Sequence, residues 1–170
     1  MGYLHDVSLS RFVSPFECGY SGTGTWTPTI AANLITNVRT AGLNWFRILI
    51  PILVLSNSAG KRGAYLESID TYYIIATEAM TLVNGLTIDK ITLGADGTAC
   101  AGVTVAVTQD TGHDTNNERR DIEDHTMTTT ITTPVWVDNE EHFAGCLHVI
   151  PGAAGVFSFI GARVNYTLRI

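Results

Sequence analysis

The sequence predicts an all-β protein, an antiparallel β-sandwich or jelly roll of about eight strands with an extended N-terminal arm. Three observations predict it. Two long apolar runs, at 44–55 (NWFRILIPILVL) and 65–77 (YLESIDTYYIIAT), are rich in Ile, Val, Tyr and Phe, residues that suit a pleated, half-buried surface. The C-terminal run at 156–170 alternates, with Ile160, Ala162, Val164, Tyr166, Leu168 and Ile170 on one face and Arg163, Asn165, Thr167 and Arg169 on the other. Segments of strand length recur between Gly, Pro, Asn and Asp turn signals, with no long helical segments alternating between them, which excludes a parallel α/β sheet.

Taken in order, residues 1–41 read as an arm and 42–170 as the sandwich. The arm mixes aromatics with Gly, Ser, Thr and Pro and has no sustained period. Phe12, Phe16, Tyr20 and Trp26 are costly to leave in water, so the arm is expected to pack on something. Within it, 29–39 permits a short helix: Ile30, Leu34 and Val38 stand at i, i+4 and i+8, and Thr29 is a reasonable N-cap.

In the run at 44–55, Phe46, Ile48, Ile50, Ile52 and Val54 share one face, while Leu49, Pro51, Leu53 and Leu55 share the other. A strand apolar on both sides needs a cover on each, from the chain itself or from another subunit. Residues 77–85 read as one helical turn closed by Asn84-Gly85. A strand follows at 86–93, then a turn at Ala95-Asp96-Gly97 and an alternating strand at 103–109. The polar stretch 110–124 reads as an exposed loop. In the strand at 125–133, Met127, Thr129 and Ile131 point one way. Pro134 interrupts it as at an edge or bulge. Strands at 142–150 and 156–170 complete the set. Phe157 and Phe159 fall on the wrong parity of the last strand: a bulge near Gly161 returns them to the core, and without one they face a neighbour.

Composition narrows the function. The chain has 170 residues, a net charge of -6 and only 10 Lys and Arg, which argues against a phosphate-tracking groove and hence against nucleic acid. Cys18, Cys100 and Cys146 have no C-x-x-C spacing and fit reduced thiols in a protein made in a cytoplasm. No signal peptide or membrane-spanning run is expected.

The densest collection of functional groups is 113–125 (HDTNNERRDIEDH). Its spacing matches no metal-binding loop and its arginines would repel a cation, so no metal is expected there. Asp138, Glu140, Glu141 and His142 read as the polar end of a hairpin rather than a catalytic carboxylate pair. There is no G-x-S-x-G, and the glycine-rich 21–25 lacks the Lys of a P-loop. No catalytic residue and no cofactor is expected. Trp26, Trp45, Trp136 and Tyr72 offer stacking surfaces for a sugar, though each also suits core or interface filling. The surplus apolar groups, Phe12, Phe16, Trp26, Leu49, Leu53, Phe157 and Phe159, are the expected interface.

One order of motifs adds to this reading: IPI at 50–52, KRGAYLESIDTYY at 61–73, ADG at 95–97, DTNNER at 114–119, HTMT at 125–128, TPVWVDN at 133–139 and GARVNYTLR at 161–169. Together they resemble small β-rich structural proteins of tailed bacteriophages, of the capsid cement or decoration kind. The resemblance implies a virion component on the outer capsid surface. Its implied partners are the major capsid protein and itself, as a homodimer or homotrimer with the trimer favoured. It carries no active-site residue across. The competing expectation is a tail-fibre or spike module that binds a host glycan.

Overall fold

The computed structural model describes residues 5–31, 34–40, 42, 44–54, 63–94 and 99–169. They form two antiparallel sheets packed face to face. The seven-stranded sheet runs β10 (Val107–Gln109), β11 (Asp124–Trp136), β6 (Gly63–Ala76), β13 (Val156–Arg169), β4 (Leu34–Arg39) and β3 (Trp26–Ala31), with β1 (Asp6–Val13) also on β13. The six-stranded sheet runs β2 (Gly19–Gly22), β5 (Phe46–Ile52), β12 (Glu141–Ile150), β8 (Thr87–Thr92) and β9 (Ala101–Val105), with β7 (Leu82–Val83) on β12. The expected sandwich is therefore present, and the strands read at 44–55, 65–77, 86–93, 125–133, 142–150 and 156–170 appear among the described residues as β5, β6, β8, β11, β12 and β13. The turn expected at 95–97 and most of the link at 56–64 lie outside the described residues.

The core fills the space between the sheets. Alternation puts Phe46, Ile48, Ile50 and Ile52 of β5 inside, facing Leu66, Ile69, Tyr73 and Ile75 of β6. Met127, Thr129 and Ile131 of β11 are all buried, as their period predicts. β6 and β13 pair from Gly63↔Arg169 to Ala76↔Val156 and form the backbone of the larger sheet.

Several expectations are corrected. Residues 5–31 and 34–40, read as an arm that packs on something and outside the sandwich, supply β1 and β2 and the β3–β4 hairpin to its two sheets. The helix expected over 29–39 is absent. Ile30, Thr36 and Val38 are β-branched, and pairing onto the exposed edge of β13 satisfies their backbone where two turns of isolated helix would not. The helical turn expected over 77–85 is an irregular bend followed by β7. The single strand read at 103–109 is two, β9 and β10, which belong to different sheets because the chain crosses over at Ala106. Conversely, the polar 110–124 contains a helix, α1 (Asn116–Arg120). It carries a capping box in which the Thr115 hydroxyl accepts from the Glu118 amide and the Glu118 carboxylate accepts from the Thr115 amide.

Phe157 and Phe159 are corrected as interface residues: both are fully buried in the chain's own core. The register of β13 against β6 shifts between Phe159 and Gly161, so Ile160 is the extra residue of a bulge and every side chain before it changes face. Gly161 makes this possible. Its φ is +140°, and a Cβ there would lie 2.6 Å from both the Val13 carbonyl oxygen and the Phe12 ring. Pro134 likewise sits where β11 shifts register against β6, between Thr130 and Val135. Replacing Gly161 by Ala is expected to lower stability by about 1–3 kcal/mol in a urea titration. An unchanged midpoint would mean that the bulge does not depend on the missing Cβ.

Candidate functional site

Two surface features stand out, one on each sheet. The first is a polar cleft of about 300 Å³ on the outer face of the six-stranded sheet. Alternation builds it. With Leu147 and Val149 of β12 inside, Cys146 and His148 point out. Arg47 of β5 and Thr87 and Asp89 of β8 line up beside them, and Asn84 closes one end. Trp45, about half exposed, stands at the rim with its ring edge-on to His148 at 5.9 Å, and the Arg47 guanidinium lies 5.2 Å over that ring.

The side chains of the cleft hold one another. The Asn84 amide nitrogen meets His148 Nδ1 at 3.1 Å, the Thr104 hydroxyl donates to Asp89 Oδ1 at 2.8 Å, and the Thr87 hydroxyl donates to the Cys146 carbonyl at 3.3 Å. Burial, and then the Arg47 charge, push the pKa of His148 down, so its ring is neutral at pH 7. Burial pushes the Cys146 thiol up; Arg47 opposes this and Asp89 adds to it. The thiol is therefore protonated and a poor nucleophile. What remains is a polar cleft offering a cation, an amide and a carboxylate, with the half-exposed Trp45 ring at its rim partly covered by Arg47, a set suited to a ligand with both donors and acceptors.

The second feature is an apolar groove of about 440 Å³. It opens where β13 hands its edge from β4, paired at 157–159, to β1, paired at 162–169. Phe12, Pro15, Leu34, Ile35 and Ile160 line it, and Phe12 is 54% exposed. Ile160 reaches it because the bulge turns that residue out of the core.

The expected interface residues are thus divided. Phe12 is in the groove, and Phe16 is exposed on the turn after β1. Leu49 and Leu53 are exposed on and just beyond β5, in the other sheet. Trp26 is half-buried, packed on Tyr20 at 4.3 Å and edge-on to Phe46 at 5.1 Å. Trp136 is occupied by Tyr65 at 4.9 Å and by the Arg169 guanidinium at 5.1 Å. Sequence reasoning missed Leu34, Ile35 and Ile160 of the groove, and Arg47, Asn84, Asp89 and His148 of the cleft. Alternation gives the facing of each strand, but only the pairing order shows that Arg47, His148 and Asp89 are neighbours.

The acidic cluster behaves as a hairpin end: Glu141 pairs with Lys90 at 2.6 Å and accepts from the Asp138 amide. On the outer face of the larger sheet, Asp70 accepts from Arg163, Asn165 and Thr128. Burial raises its pKa, but these bonds outweigh that and hold the carboxyl below its ordinary value. Among the described residues no group of three or more His, Cys, Asp or Glu is arranged to hold a metal ion.

No family model matches the chain, and no curated protein matches it. Among solved structures it is similar to a carbohydrate-binding module from a study of promiscuous specificity in the β-sandwich superfamily (10% identity, 95% of this chain and 56% of that one, TM-score 0.43). It is also similar to the enzymatically active domain of bacteriophage CBA120 tailspike protein 4 (9%, 87% and 19%, 0.40). A third is the family 11 carbohydrate-binding module of Clostridium thermocellum in complex with a β-1,3-1,4-mixed-linked tetrasaccharide (9%, 96% and 89%, 0.36). The chain spans little more than half of the first structure and a fifth of the second. None of the three carries a site across.

The thiols give a direct check on these surroundings. Cys100 is exposed, Cys18 is buried with its pKa pushed up to about 12, and Cys146 is half-buried and protonated. A disulfide reagent at neutral pH is expected to modify one thiol quickly in the native protein and all three after denaturation. Fast modification of Cys146 would mean that the cleft activates it.

Proposed function

We propose that this chain is a structural protein of a bacteriophage particle, a capsid cement or decoration protein that docks on neighbouring subunits without catalysing a reaction. The observation that carries the reading is the apolar groove of Phe12, Leu34, Ile35 and Ile160. On the seven-stranded sheet and the turn after β1, Phe12 and Phe16 stand in water together with Ile30, Leu34 and Ile35, and clustered exposed hydrophobes of this kind mark contact surfaces. The motif order at 44–170 supports the virion setting. A partner there is the major capsid protein, a second copy of the chain, or both.

The groove and the cleft lie on different sheets, so they can be tested separately. The double variant Phe12→Ser, Ile35→Ser is expected to stay folded by circular dichroism, since both residues are surface groups. It should lose at least about tenfold in co-sedimentation with purified capsids, while the parent protein binds stoichiometrically. Equal binding by parent and variant would remove the groove from the interface, and no binding by the parent would remove the cement reading.

A second reading is favoured by one observation, the half-exposed Trp45 ring in contact with Arg47 and His148 of the polar cleft. On this reading the chain is a host-recognition module of a tail fibre or spike, with the cleft holding a surface glycan. Trp45→Ala is then expected to weaken binding to host cells or their isolated polysaccharide by about tenfold or more, leaving capsid binding unchanged. Full binding by this variant would exclude the cleft as the glycan site.

A further inference from the structure

The segment between β10 and β11 closes one end of the sandwich through a chain of hydrogen bonds whose protons do not balance if both histidines are neutral. His113 Nδ1 meets Asp110 Oδ1 at 2.8 Å, His113 Nε2 meets His125 Nδ1 at 3.3 Å, and His125 Nε2 meets the Asp121 carbonyl at 3.0 Å. Both outer partners are acceptors. Burial pushes the Asp110 carboxyl up, but bonds from His113 and from the amides of Thr128 and Gly112 outweigh it, so it is an ionised acceptor. Each outer ring nitrogen must therefore carry its proton. Two neutral imidazoles have only two N–H protons between them. With both used at the ends, the inner nitrogens would face each other lone pair to lone pair.

The geometry decides what sits between them. The ring centroids are 5.5 Å apart, which is close to the nitrogen–nitrogen distance of 3.3 Å plus one ring radius at each end. The inner nitrogens therefore point nearly head-on. Two ligands of a tetrahedral metal, with bonds of about 2.0–2.1 Å, also stand about 3.3 Å apart, but their lone pairs converge on a point off the line between them. Nitrogens aimed at each other share a proton instead. We infer that His113 and His125 share one extra proton, and that this proton latches the 110–124 segment onto the sandwich. The inference rests on neither functional reading above.

The latch has something to hold. Within the segment, the Arg119 guanidinium is buried and donates to the Val83 carbonyl at 2.8 Å and to the His113 carbonyl at 2.5 Å. Asn116 Oδ1 accepts from the Val83 amide at 2.8 Å, and the Glu123 carbonyl accepts from the Ile75 amide at 3.0 Å. Val83 precedes Asn84, so the segment also sets the end of the polar cleft.

The charged and titratable groups around the pair are few. Tyr73 of β6 stacks on His125 at 4.6 Å and donates its hydroxyl proton to the Arg119 carbonyl. Asp110, Glu118, Arg119, Asp121 and Glu123 come from the segment itself, with Glu123 Oε1 3.7 Å from His125 Nδ1. Loss of the shared proton as pH rises leaves opposed lone pairs and loosens the latch. Burial of His125 opposes the shared proton, and its bond to the Asp121 carbonyl and the Glu123 charge favour it; a second proton as pH falls meets the same burial and places two cations side by side. Closure is therefore tightest in a pH window bounded on both sides.

Two measurements on the full chain test this. Nitrogen-detected spectra of the imidazoles between pH about 5 and about 8 are expected to show three N–H protons on the two rings within the window. Over the same range, amide exchange at Val83 and Ile75, corrected for intrinsic base catalysis, is expected to accelerate about tenfold above the window. In His113→Gln that acceleration should vanish, because glutamine supplies both a donor and an acceptor without titrating. Two N–H protons throughout with the latch still protected, or the same pH dependence in His113→Gln, would overturn the inference. If that variant fails to fold, the imidazole proton count of the parent protein decides alone.

Discussion

The extra residue in β13 is the constraint on which the rest of this structure depends. Without Ile160, Phe157 and Phe159 would face outward and the paired strand β6 would lose its deepest contacts. With it, Phe157 stacks on Tyr73 at 5.1 Å and meets Phe46 of the opposite sheet at 5.4 Å. That three-ring contact joins the two sheets near one end of the sandwich. Each ring is fully buried, and an aromatic in such a position contributes on the order of 1.5–3 kcal/mol from burial alone. The bulge works in both directions: the rings that enter the core are exchanged for an isoleucine that leaves it, and that isoleucine completes the exposed groove. Core and exposed groove are two consequences of one register shift.

The ring contacts continue beyond the core on both sides. Phe46 meets Trp26, which packs on Tyr20, so the N-terminal strands are tied to the same cluster. On the other side Tyr73 stacks on His125, which faces His113. An unbroken series of ring contacts thus runs from β2 and β3, through both sheets, to the segment before β11. This explains why residues 5–31 and 34–40 fold onto the sandwich although their sequence is turn-rich and has no sustained period. Tyr20 and Trp26 find partners in the core, while Phe12 and Phe16, which lie outside the series, remain exposed.

Much of this was legible in the residues. Period-two alternation places Met127, Thr129 and Ile131 correctly, and the parity fault at Phe157 and Phe159 points to Gly161 without any coordinates. What alternation cannot supply is pairing. Ile30, Leu34 and Val38 fit a helical stripe as well as a hairpin, and only the free edge of β13 favours the hairpin. The cleft was illegible for the same reason: Arg47, Asp89 and His148 come from three strands that become neighbours through the order β5-β12-β8. Helix α1 is a different case. Thr115 and Glu118 stand at capping-box spacing, a signal present in the sequence but outweighed by the polarity around it.

The two outer faces of the sandwich differ in a way that the edges make sharper. In the seven-stranded sheet β3 is an outer strand, and Pro28 near its centre removes a donor from it, a device that discourages another chain from continuing the sheet. The six-stranded sheet ends in β2 and β9, which are short and carry Gly19, Gly22 and Gly102. Strand addition at these edges is therefore disfavoured, and association through side chains on a face is the route that remains open there. A face contact needs an apolar patch that folding does not consume. The groove beside Ile160 is such a patch, walled by Phe12 of β1, Leu34 and Ile35 of β4 and Ile160 of β13, none of which is buried in the core.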